Sequence, residues 1–89
     1  MHSGLWHSFL DGDDRAFSLI YEQFFFKLYA YGLKIGFNEE TCKDAIHDVF
    51  YHIFLSRKNL RHVENIEFYL LQSIRNRLFD NYKKEKKID

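Results

Sequence analysis

The sequence predicts an all-α domain, a compact bundle of about four helices, and three observations lead there. Proline is absent and all four glycines fall within the first 36 of 89 residues, so nothing after Gly36 carries the usual helix-breaking punctuation. Asp13, Asn38 and Asn65 each stand just before a stretch whose apolar residues recur at three-and-four spacing, the arrangement of an N-cap followed by an amphipathic helix. Hydrophobic side chains make up 46% of the chain, with ten Phe, six Tyr and one Trp, which excludes a disordered polypeptide.

A short first helix is predicted over about Leu5 to Leu10, closed by Asp11-Gly12. Asp13 then caps a second helix, with Asp14 in its first turn, running to about Ile35 and ending on Gly36. Its core stripe is Phe17, Ile20, Phe24, Leu28 and Tyr31. The run Phe24-Phe25-Phe26 cannot face one side, so one ring is left for a partner surface. Asn38 caps a third helix, with Glu39 and Glu40 where the helix dipole favours negative charge. Cys42, Ala45, Ile46, Val49, Phe50, Ile53 and Phe54 form its apolar face, and it ends near Ser56. Asn65 caps a fourth helix whose stripe reads Phe68, Leu71, Ile74 or Arg75, Leu78 and Tyr82, so that Phe68 is assigned to the core.

Eighty-nine residues make a single domain, residues 1–89. The lone Cys42 cannot form an internal disulfide or a Cys-based zinc site, which favours a reducing compartment, the cytoplasm. No apolar run is long enough for a membrane span. The formal charge of zero hides an asymmetry. Residues 1–56 hold four bases against eight acids, net −4, and residues 57–89 hold nine bases against five acids, net +4. Such a division suggests two partners of opposite sign, with a polyanion meeting the C-terminal part.

Phosphate loops, serine elbows and Cys-His nucleophile signatures are all missing from the sequence. Asp44, His47 and Asp48 share a face of the third helix, but a metal site there needs ligands from a second helix, and the other acids and histidines show no paired pattern. The chain is therefore read as non-enzymatic, with no catalytic residue, no metal and no cofactor. With Tyr51, the same three residues lie opposite Ala45, Ile46 and Val49 and form an exposed acidic face suited to a basic partner. Beyond it, the loop Arg57 to Asn65 (with Lys58, Asn59, Arg61 and His62) and the fourth helix (with Tyr69, Arg75, Arg77, Lys83 and Lys84) combine cations with flat or polar side chains. Cations neutralise phosphates and rings stack on unpaired bases, which suits single-stranded nucleic acid.

Three blocks resemble region two of an extracytoplasmic-function sigma factor, the promoter-recognition subunit of bacterial RNA polymerase. They are Asp13-Asp14-Arg15-Ala16-Phe17 with Leu19 to Phe24, then Cys42 to Phe50, then Phe68-Tyr69-Leu70 with Arg75-Asn76 and Asp80-Asn81-Tyr82. The resemblance runs from Leu5 to Lys87. It implies that Asp44, His47, Asp48 and Tyr51 bind the β′ clamp helices of core polymerase. It also implies that Arg57 through Asn65 help to melt the promoter minus-ten element and capture a base of the single-stranded non-template strand. An anti-sigma factor is a further partner of this family. His47 and Asp48 stand where the family usually has Gln and Glu, and the terminal bases are Lys where Arg is common. The helix-turn-helix domain that follows in the family is absent from these residues, so the chain is expected to be an excised domain of a longer protein. The competing expectation is a sigma-like interaction module that docks a regulator without touching DNA.

Overall fold

The computed structural model describes the backbone of residues 2–88 and the side chains of residues 4–83. Within them the chain is all-α: α1 (His2–Leu10), α2 (Asp14–Lys34), α3 (Glu39–Ser56) and α4 (Ile66–Ile88), with a single 3-10 turn at Arg57–Asn59. The first helix begins earlier than the sequence predicts, and the other three start where their caps place them.

Local chemistry explains the boundaries. The Asp13 carboxylate accepts from the backbone N–H groups of Arg15 and Ala16, at 3.0 and 3.2 Å, and so starts α2. Gly36, at φ 108°, ends it: its N–H donates to Leu33 O while that of Phe37 donates to Gly32 O, both at 3.1 Å. This pair of bonds satisfies carbonyls that the last turn leaves open, and it needs a left-handed residue. The same two bonds close α1 at Gly12 (φ 106°), so Asp13 both completes the end of one helix and caps the next. Asn38 Oδ1 accepts from Thr41 N at 2.8 Å, and Asn65 Oδ1 accepts from Phe68 N at 2.9 Å.

The second helix is the centre of the bundle, packed against α1, α3 and α4. It buries Ala16, Ile20, Phe24, Leu28 and Gly32, while Phe17 and Tyr31 sit half-buried at the edges of the stripe. From α3 come Cys42, Ala45, Ile46, Val49, Phe50 and Ile53, in agreement with the predicted face. Trp6, Phe9 and Leu10 of α1 close one end of the core. Leu60, buried, pins the connection between α3 and α4 to the same interior. A Leu or Ile fully withdrawn from water contributes about 1.5–3 kcal/mol, so these interlocked stripes supply most of the driving force.

The fourth helix corrects the sequence reading. Ile66, Leu70, Ile74 and Leu78 are its buried stripe, whereas Phe68, assigned above to the core, is 61% exposed. Both registers satisfy three-and-four spacing. Aliphatic branches that pack between α2 and α3 occupy the interior, and the aromatic ring two residues from Ile66 and Leu70 is turned outward.

Candidate functional site

Two surfaces of the bundle carry the predicted residues. On α3, Asp44, His47, Asp48 and Tyr51 are all exposed, Tyr51 at 64%, and the row continues to exposed Leu55. Positions 44, 48, 51 and 55 lie along one line of the helix. This surface is therefore an acidic strip with an apolar end, and Leu55 is a member that the charge-based reading missed. His47 stands at its margin, leaning on α2: Nε2 is 2.9 Å from the Tyr21 hydroxyl and the rings stack at 6.1 Å. Among the described residues no three metal-ligating side chains come together.

The second surface starts at the 3-10 turn and runs along α4. Arg57, Lys58, Asn59, Arg61, His62 and Asn65 all lie on the connection, and all but half-buried Arg57 are exposed. The two arginines are not unpaired. Arg57 Nη1 lies 3.3 Å from Asp14 Oδ1, and its guanidinium carbon sits 4.9 Å over the Phe54 ring. Arg61 Nη2 lies 2.6 Å from Asp11 Oδ1. The acids that end α1 and begin α2 thus reach across to the cations of the connection. A third ion pair, Lys27 to Glu67 at 2.9 Å, joins the two halves in the reverse sense. The division of charge read from the sequence is partial in three dimensions for this reason, although no described ion pair touches Asp44 or Asp48.

Exposed Phe68 lies beside a depression of about 230 Å³ that His62, Val63, Asn65, Tyr69 and Gln72 also line. Tyr69 is half-buried, its ring edge-on to Trp6 at 6.4 Å, so it serves as the floor of this hollow more than as a free ring. One turn further on, Arg75, Asn76, Phe79, Asp80 and Lys83 border a second depression of about 440 Å³. The Arg75 guanidinium carbon stands 5.1 Å over the Phe79 ring, which holds the cation beside a flat apolar face. Arg77 departs from this row. It faces the groove between α3 and α4 with His52, Ser73 and Asp80. Lys84 lies outside the residues whose side chains are described.

Three phenol or thiol groups have altered acidity. Tyr29 donates to Glu39 Oε1 at 2.8 Å, and this bond, with lesser help from burial and the negative charge of Glu39, raises its pKa above the ordinary 10.0. Burial raises Tyr21 and Cys42. None of the three borders the α4 depressions. Aromatic faces and cations thus predominate along the outer side of α4, with Asp80 among them, and carboxylates along α3.

No protein-family model, curated protein or solved structure matches this chain. Among the described residues no helix is long and apolar enough to cross a membrane.

Proposed function

We propose that this domain is a sigma region two module of bacterial transcription initiation, acting in the cytoplasm without chemistry of its own. In this reading the α3 strip of Asp44, His47, Asp48, Tyr51 and Leu55 grips the β′ clamp helices of core polymerase. The α3–α4 connection and the outer face of α4 hold the displaced non-template strand of the minus-ten element. The observation that carries the reading is the position of Phe68, an exposed ring at the mouth of a hollow directly after a cation-rich connection. A base that has left the duplex can be stacked there, and stacking of about 1–3 kcal/mol per base offsets the few kcal/mol of unstacking.

The test is capture of a β′ clamp-helix fragment by the immobilised domain. The expected result is binding by the natural chain and a loss of roughly tenfold or more in Asp44→Lys and Asp48→Lys, because like charges across an interface cost several kcal/mol. Equal capture by both variants would remove the polymerase half of the proposal.

One observation favours the second reading, a sigma-like module that docks a protein regulator and leaves DNA alone. Arg57 and Arg61, the cations nearest the connection, already face Asp14 and Asp11. Titration with single-stranded oligonucleotides at rising salt separates the two: binding that weakens with salt supports DNA capture, and absence of binding even with polymerase present supports the regulator.

A further inference from the structure

The second helix has two apolar sides. Phe26 is two residues from both Phe24 and Leu28, which at about 100° per residue turns it about 160° away from either. Phe24 and Leu28 are in the core, and Phe26 is 77% exposed. It is not isolated. Leu19, Gln23, Phe26, Ala30 and Leu33 are all exposed and follow one another at steps of four, three, four and three residues. That alternation is the d-a-d-a-d register of a coiled-coil seam, and the bundle leaves it uncovered.

The flanks of the seam indicate what covers it. Glu22 and Tyr29 occupy the g positions, and Lys27 and Lys34 the e positions that follow them. In a parallel pair of helices each g residue meets the e residue five positions on in the other helix. Glu22 then faces Lys27 of the partner subunit, and Tyr29, which carries Glu39 on its hydroxyl, faces Lys34 of the partner subunit. The intramolecular pair of Lys27 with Glu67 is solvent-exposed on both sides, so it does not bury the cation away from a second carboxylate. An antiparallel pairing centred on Phe26 sets Lys27 against its own copy. A face that carries both signs in this register is complementary to itself, as a two-fold interface requires, and is poorly matched to a partner of one sign. Ala30 lets the helices approach closely, and Gln23 at an a position selects register at some cost in affinity.

We infer that the exposed Leu19–Gln23–Phe26–Ala30–Leu33 face of α2 is a dimerisation surface, on which a second copy of this chain docks as a parallel two-stranded coil. The seam spans 15 residues, Leu19 to Leu33, about 21 Å of helix from first to last, so the dimer is short and concentration-dependent. The inference goes beyond the polymerase reading and is tested without polymerase or DNA. Sedimentation equilibrium of the full chain between about 5 and 500 µM should show the weight-average mass rising from 10.9 kDa toward twice that value. Phe26→Lys should weaken association at least tenfold with the urea midpoint preserved, since the ring is outside the core, and Leu33→Lys should act the same way. Glu22→Lys should weaken it severalfold. Gln23→Cys should cross-link between copies on mild oxidation, because a parallel pair brings that position to its counterpart whereas an antiparallel pair centred on Phe26 does not. A mass of 10.9 kDa throughout, a dimer indifferent to Phe26→Lys, or failure of Gln23→Cys to cross-link overturns the inference.

Discussion

Gly32 of α2 lies so close to Cys42 of α3 that a β-carbon on it would stand 2.5 Å from Cys42 Sγ. The two helices meet at this point because one side chain there is a hydrogen. Gly32→Ala adds a better helix former, a gain of about 1 kcal/mol, but forces a buried sulfur to move in a packed layer, at about 1–3 kcal/mol. The steric term should prevail, and the variant should unfold at lower urea. Cys42→Ala removes the obstructing atom while leaving its β-carbon at 3.4 Å, ordinary contact, so the double variant should recover most of the loss. Strictly additive changes in the double-mutant cycle would contradict this geometry.

Adjacent α4 positions should separate stability from binding. Leu70 is fully buried, and Leu70→Ala should cost about 2–5 kcal/mol in unfolding free energy. Phe68→Ala should alter stability by no more than about 0.5 kcal/mol and lower affinity for a non-template-strand oligonucleotide about fivefold or more. A large loss of stability from Phe68→Ala would return that ring to the core.

If the connection touches DNA, Asp11 and Asp14 compete with phosphates for Arg61 and Arg57. Asp11→Asn and Asp14→Asn should each change stability by less than about 1 kcal/mol, since both ion pairs are exposed on the carboxylate side. Together they should tighten oligonucleotide binding and make the log–log salt slope steeper by up to about 1.4, two single-strand phosphates' worth. An unchanged slope would show that neither arginine contacts the strand.

The alkaline limb of stability should depend on Tyr29. Its folded pKa lies above 10.0 because its proton is shared with Glu39, so the unfolded chain releases that proton first as pH rises. The contribution is complete below pH 10.0 and disappears as pH rises through the folded value. Half-buried Tyr21 and buried Cys42 titrate in the same sense. Urea midpoints should therefore fall between about pH 9 and pH 11, and Tyr29→Phe should fall less steeply than the natural chain.

Caps were the most legible part of the fold. Asp13, Asn38 and Asn65 act on N–H groups two or three residues away, so everything needed to place them is contiguous in sequence. The α3 face was legible for a similar reason, because its apolar residues form one stripe with charges opposite. On α4 the abundance of apolar residues gave two competing stripes, and only packing against α2 and α3 selects Ile66, Leu70, Ile74 and Leu78 over the one containing Phe68. Of the candidate site, the exposed acids of α3 could be read from spacing. The pairing of Arg57 with Asp14 and of Arg61 with Asp11 could not, since it joins residues 43 and 50 apart in sequence. Leu55 was missed because a search led by charge passes over an apolar residue at the end of an acidic row.

Trp6 is the sole tryptophan of the chain, 1% exposed, with no hydrogen-bond partner for Nε1 among the described residues. An indole withdrawn from solvent emits at short wavelength, and the Tyr69 ring, 6.4 Å away, is close enough to pass energy to it. The molecule thus contains its own optical gauge. Any event that lifts the N-terminal segment from the body of the domain should redden the fluorescence and weaken the tyrosine-sensitised part of it, with no dye attached.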